Sequence, residues 1–447
     1  MTTPICDFVR RYSESGAQRL HMPGHKGVSF VGAEALDITE IAGADSLYEA
    51  DGIIAESEAN AGKLFGARTF YSTEGSSLAI RAMILLALRH ARENGREPRI
   101  LAGRNAHKVF LSAVALLDID VEWIASDESN YLRCTPTAED IKKMLSEREN
   151  EFAAVYITSP DYLGNIAALE GIARVCHSYG ALLLVDNAHG AYLRFLPDSH
   201  HPIELGADAC ADSAHKTLPA LTGAAYLHIS RNAPDSIFVG ARAALAMFGS
   251  TSPSYLILQS LDMVNAYVDG EYKAELEKYA AEIKKLKQDL VSCGIELLGD
   301  EPLKITVSPK SIGYEGNELA GYLRGRGMEC EFSDRDVTVM MLTPQLGYKA
   351  LDVIAEAMRE LPKRAPVEQK PPRPRLKKRV VSVRQAMLSP YEVLPANECL
   401  DRVLAMPSVA CPPAVPIVVC GELIDDEAVA AFKYYGINEC AVMKDTK

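Results

Sequence analysis

Short apolar runs alternating with helical stretches most constrain what this chain folds into. Residues 99–102, 121–124, 153–157, 181–185 and 224–229 read as buried strands, and residues 53–65, 78–88, 108–117 and 138–145 carry helical spacing. Strands that alternate with helices pair mostly in parallel, with helices covering both faces of the sheet. The reading is therefore an α/β fold with a mostly parallel sheet in a large domain, and smaller α+β domains C-terminal to it. Ligands in such folds bind at the carboxyl ends of the strands, so the residues just after each run are the ones to inspect.

Two of those positions hold unusual side chains. The run 181–185 leads into Asp186, followed by Asn187, Ala188, His189 and Gly190, and the polar stretch 211–223, which holds Lys216, precedes the run 224–229. A lysine at a sheet edge and an acid at the end of a buried strand suit pyridoxal phosphate, the lysine as Schiff base and the acid on the pyridine nitrogen. Singly, each has a plainer explanation as surface charge or turn residue.

A phosphate loop strengthens the pairing. Gly75, Ser76 and Ser77 open the helical run 78–88, where free backbone N–H groups and the positive dipole end attract an anion. An isolated Gly-Ser-Ser is merely a helix cap, but this one begins a series that contains Asp186 and Lys216. His107, after the run 99–102, falls at the same end of the sheet. His21 and His25 have the spacing of a helical metal pair, yet Pro23 and Gly24 between them rule out the helix, and no metal is expected.

At 447 residues the chain exceeds one simple core. The reading divides it into an N-terminal arm (1–40), a cofactor-binding large domain (41–265), a small α+β domain (266–361), a linker (362–379) and a C-terminal module (380–447). The linker holds five prolines and eight basic residues against one acid, and is read as solvated. Lys284, Lys285 and Lys287 are read as the solvated face of a helix whose apolar positions include Ile283 and Leu286. A net charge of −13 disfavours nucleic acid and suits a cationic substrate. Ten scattered cysteines, no basic-then-apolar leader and no membrane-length apolar run indicate a cytoplasmic protein with reduced thiols and no membrane partner.

Taken together, His21–Gly27, Gly75–Ser77, Arg104–Lys108, Asp186–Gly190, Ser213–Pro219, Ser250–Tyr255 and Pro412–Glu422 resemble the bacterial ornithine/lysine/arginine decarboxylases of the aspartate-aminotransferase fold. They run in family order along nearly the whole chain, and Ser-x-His-Lys-Thr is the most specific of them. The resemblance implies the short form, in which an N-terminal receiver-like domain is not expected before His21. The resemblance implies a fold-type I pyridoxal phosphate enzyme that decarboxylates a cationic amino acid for polyamine metabolism, arginine ahead of lysine and ornithine. It implies catalytic roles for Lys216, His215, Asp186 and His107, with His107 stacked on the cofactor. Cofactor contacts fall to Gly75, Ser76, Ser77, Ala188, His189, Ser213 and His215, and Ser250, Thr251 and Ser252 reach the phosphate of a neighbouring subunit. A homodimer with shared sites is then the minimum assembly. Glu331, Asp334 and Glu422 are candidates for reading the distal charge. Two positions depart from the family pattern: Glu74 stands where asparagine is common, and Cys420 replaces a usual proline. An aminotransferase, a lyase on another amino acid and a silent scaffold homologue remain as alternatives.

Overall fold

A computed structural model describes residues 1–124, 132–148, 151–372, 375–409 and 415–444. In chain order the elements that position the site begin with helix α1 (Pro4–Glu14), α2 (Ile53–Phe65), strand β1 (Ala67–Ser72) and α3 (Gly75–Glu93). Then come β2 (Arg99–Gly103), α4 (Lys108–Leu117), β3 (Asp120–Ile124), α5 (Ala138–Glu147), β4 (Ala154–Thr158), α6 (Leu169–Ser178) and β5 (Leu182–Asp186). The lysine segment follows as β6 (Ala209–Asp212), the short helix α7 (Ala214–Thr217) and β7 (Ala225–Ser230). Strands β1 to β7 make the mostly parallel sheet of an α/β fold. The five runs read as strands are β2, β3, β4, β5 and β7, while β1 and β6 are additional.

The chain divides into two compact units, 1–97 with 169–276, and 98–168 with 277–447. In the first, the strand order is β1-β7-β6-β5. Strands β5 and β6 are parallel, and β7 runs antiparallel to both β6 and β1. Strand β5 is buried throughout because its Leu-Leu-Leu-Val face has no polar side until Asp186. Helix α3 buries eleven residues, from Leu78 to Ala91, so the segment that follows the phosphate loop is anchored along its length.

The second unit holds β4-β2-β3, all parallel, with a four-stranded antiparallel sheet. That second sheet runs in the order β10 (Phe332–Ser333), β11 (Thr338–Met341), β9 (Lys304–Ser308), β8 (Glu296–Leu298). The C-terminal part pairs Tyr391–Pro395 with Glu439–Met443 around a core that includes Leu404, Ile417, Ile424, Phe432 and Val442.

Two surface readings need correction. The described part of 362–379 has no helix, but its charges are not all solvated: the Lys377 side chain is 1% exposed, 2.9 Å from Asp425 and 3.3 Å from Glu427. A buried ammonium is tolerable there because two carboxylates meet it. Likewise Lys287 is half-buried and donates to the Glu301 carbonyl at 2.6 Å, whereas Lys284 and Lys285 are exposed. Among the described residues no helix is long and apolar enough to cross a membrane.

Candidate active site

The phosphate loop is built by two glycines. Gly75 has φ +70° and its N–H donates to the Gly223 carbonyl at 2.7 Å, while Gly223 has φ +99° and a Cβ there would lie 2.9 Å from the Thr73 carbonyl. Glycine alone meets both demands at low cost. Helix α3 therefore starts abruptly after Glu74, with no side-chain cap on its first turn. The N–H groups of Ser76 and Ser77 stand at N2 and N3, where an α-helix supplies no carbonyl partner.

The lysine segment closes on the same loop. Ser213 Oγ lies 2.9 Å from Ser76 Oγ. Lys216, half-buried on α7, brings its Nζ to 3.1 Å from His189 Nε2. Asp186 ends β5 at 3% exposure and accepts from the Ala188 N–H at 3.2 Å. His215 points Nδ1 at the Ala224 carbonyl, 2.9 Å away. Thus Ser76, Asp186, Ala188, His189, Ser213, His215 and Lys216, which the sequence places in three separate stretches, stand on adjoining elements of one unit. A primary amine, a buried carboxylate and an uncapped helix start with two serines fit the chemistry of pyridoxal phosphate: an aldehyde, a ring nitrogen and a phosphate.

Ser250, Thr251 and Ser252 are exposed. The Ser250 N–H donates to Glu74 Oε1 at 2.6 Å in the same chain, so the glutamate that departs from the family pattern tethers this loop beside the start of α3. Cys420, the other departure, is buried, and burial pushes its thiol up to about 12.

The remaining candidates lie in the second unit. His107 is exposed and caps α4, accepting from the Val109 N–H through Nδ1 at 3.3 Å. Glu331 is exposed, and its Oε1 accepts from the Tyr162 hydroxyl at 3.1 Å. Asp334 is 2% exposed, its Oδ1 taking the N–H groups of Asp336 and Val337 at 2.7 and 2.9 Å. Glu422 makes a two-pronged ion pair with Arg104, at 2.6 and 2.7 Å, and also accepts from the Val419 N–H at 3.0 Å. Its family motif is described only from Val415 onward, Pro412 to Ala414 lying outside the described residues. In the arm, His21 bonds Tyr12 and His25 bonds Asp37, at 2.5 and 3.1 Å.

Residues 3–293 match the family described as Orn/Lys/Arg decarboxylase, major domain. The chain belongs to that family. The uncharacterized protein YaaO of Bacillus subtilis is 30% identical across 96% of this chain and 93% of its own length. An arginine decarboxylase of the same organism is 28% identical across 96% and 92%. Among solved structures, the lysine decarboxylase LdcF of Francisella novicida superposes with a TM-score of 0.82 at 16% identity, covering 99% of this chain and 81% of that one. Lysine decarboxylase A of Pseudomonas aeruginosa gives 0.81 at 18%, covering 99% and 80%. The architecture of this family member is that of the fold-type I pyridoxal phosphate enzymes.

Sequence reasoning passed over Asn187, His201, Asp212, His228 and Tyr162. Asp212 precedes Ser213 directly, and its place at the end of a run of small residues was the available signal. Nothing in the sequence marks His201 or His228 as its neighbours.

Proposed function

We propose that this chain removes the α-carboxylate of a cationic L-amino acid, arginine ahead of lysine and ornithine, as a cytoplasmic homodimer that uses pyridoxal phosphate. The observation that carries this reading is Lys216 beside His189 at 3.1 Å, with Ser213 linked to Ser76 at the uncapped start of α3. When bound, the cofactor supplies a protonated ring that accepts the electron pair left as the carboxylate departs as carbon dioxide.

The protein's part is to hold, orient and protonate. Lys216 would hold the cofactor through its side-chain amine. Asp186, buried at the end of β5, keeps a cationic ring nitrogen charged, since a nearby anion in a dry setting favours the cation. Gly75, Ser76, Ser77, Ser213 and His215 would hold the phosphate, and Ala188 and His189 would meet the rest of the cofactor. His107 would stack on the cofactor. Ser250, Thr251 and Ser252 complete the phosphate site of the partner subunit. Cα receives its proton from His215 or Lys216. Each turnover consumes one proton, taking the ammonium carboxylate to an ammonium amine and carbon dioxide.

For the distal charge we favour Glu331, exposed and oriented by Tyr162, then Asp334. Glu422 comes last, because Arg104 already engages both of its oxygens. The arginine preference draws on arginine decarboxylases of 28% and 29% identity spanning nearly the whole chain.

The test is product analysis of purified protein supplied with pyridoxal phosphate and an equimolar mixture of arginine, lysine and ornithine, with Lys216→Ala as control. Carbon dioxide with agmatine as the main amine, absent in the variant, is the expected outcome. Cadaverine or putrescine instead would reassign the substrate. A keto acid in place of an amine would move the reaction to transamination, and no product from any of the three would remove the decarboxylase reading.

A further inference from the structure

Beneath the lysine segment lies a group of ionisable side chains that the proposed chemistry leaves unused. Asp212, at the end of β6, is 0% exposed, as are the two imidazoles that face it, His201 and His228. His201 Nε2 lies 2.9 Å from Asp212 Oδ2, and His228 Nε2 lies 3.4 Å from the same oxygen. An ionised carboxylate only accepts, so His201 donates through Nε2–H. Burial alone would raise the Asp212 carboxyl, but His201 and His228 outweigh it and hold it well below the usual carboxylate range. The remaining oxygen, Oδ1, accepts from Asn187 Nδ2 at 2.7 Å, with Cys210 Sγ 3.7 Å away.

Asn187 stands in the turn that carries most of the groups proposed to meet the cofactor ring. Its own N–H donates to the Ala211 carbonyl at 3.0 Å, and its carbonyl accepts from the Gly190 N–H at 2.8 Å. Its side-chain Oδ1 is buried with no hydrogen-bond partner, so the bond to Asp212 is what orients that amide. On one side is Asp186; on the other are Ala188 and His189, the latter against Lys216 at 3.1 Å.

We propose that Asp212 is a positioning residue for the cofactor site, acting through Asn187 on the turn that carries Asp186, Ala188 and His189. The proposal rests on the pyridoxal phosphate reading. The two imidazoles favour the charged form of Asp212, and Asp212 in turn holds an amide whose Oδ1 has no other hydrogen-bond partner to set its orientation. A buried carboxylate is costly to build, and His201 on Oδ2 with Asn187 on Oδ1 hold this one in one geometry.

The experiment titrates cofactor-stripped full-length protein with pyridoxal phosphate, following the visible absorbance of the bound form, alongside thermal unfolding of the same samples. It compares wild type with Asn187→Ala, Asp212→Ala, Asp212→Asn and the double alanine variant. A wild type without a saturable bound band removes the cofactor reading itself, separately from this proposal. Given that band, Asn187→Ala and Asp212→Ala should each weaken cofactor binding about tenfold, the worth of one buried hydrogen bond to a charged group. The double variant should be no worse than the weaker single one within about twofold, because both remove one contact. Asp212→Asn keeps an acceptor for Asn187 and should bind within about threefold of wild type, even though its imidazoles lose a charged partner and its unfolding midpoint falls. Asn187→Ala leaves the His-Asp-His group intact, so the test stands even where Asp212→Ala does not fold. Cofactor affinity that merely tracks the unfolding midpoint in both Asp212 variants, or wild-type affinity in Asn187→Ala, overturns the proposal. So does one equivalent of a transition metal in the purified wild type, which would make the group a metal site.

Discussion

Asp334 pays for its position: it is 2% exposed, its Oδ2 has no hydrogen-bond partner, and Asp336 lies close by. Burial pushes its carboxyl up to about 6, with two backbone N–H groups on Oδ1 only partly offsetting that. The folded value is above the unfolded one, so the native state binds the extra proton and stability falls as pH rises through the interval from 3.8 to about 6. Asp334→Asn removes that titration while keeping an acceptor for both N–H groups. Its unfolding midpoint should exceed that of wild type at about pH 8, and the advantage should vanish by about pH 4, where both side chains are neutral. Thermal unfolding of the pair across that range checks the prediction. A constant difference at every pH would show that the carboxylate is not disfavoured in the fold.

Between elements, a buried ion pair in the second unit joins the end of β2 to the C-terminal module. Arg104 and Glu422 are 318 positions apart, yet their side chains are each 3% exposed and form two parallel bonds of 2.6 and 2.7 Å. Removing one partner strands the other charge in a dry place. Glu422→Gln should therefore destabilise the fold by about 3–5 kcal/mol, whereas Arg104→Met with Glu422→Gln should recover part of that, because no charge is then stranded and the amide still accepts from the Val419 N–H. Denaturant unfolding of the single and double variants measures both, and a double variant as unstable as the single would refute it. Such a tie could not be read from the sequence, where the resemblance marks Glu422 as a candidate for the distal charge but nothing pairs it with Arg104. What could be read was local. Helices α2 and α4 begin and end where apolar spacing puts them, and Asp186, Lys216 and the Gly-Ser-Ser loop stand out because each abuts a strand or helix end. Strand β1 escaped notice because Arg68 and Thr69 interrupt its apolar run, and β6 because it has only four residues, most of them small. The His201-Asp212-His228 group was hidden for a different reason. Register sets Cys210 opposite His228 across β6 and β7, and His201 comes from a segment that is neither helix nor strand.

For the molecule as a whole, the N-terminal arm raises the question of assembly. Leu20, Met22, Val28, Phe30 and Val31 present apolar side chains to solvent, with Leu20 and Val31 more than nine-tenths exposed. So many large apolar groups within one short segment of a chain carrying a net charge of −13 are costly in water and call for a cover. In the proposed homodimer that cover is a second copy, which also brings Ser250, Thr251 and Ser252 to the partner's phosphate site. Phe30→Asp with Val31→Asp puts two charges where the cover would sit, and the like-charged copies should separate. Analytical ultracentrifugation should find wild type as a dimer and the variant as a monomer. The monomer should keep its fold by circular dichroism, because these side chains contribute little to its own core. Cofactor affinity should fall with the dimer, as each phosphate loses contacts from the other chain. A variant that stays dimeric would clear the arm of this role, and a monomer that binds the cofactor as tightly as wild type would confine the whole site to one chain.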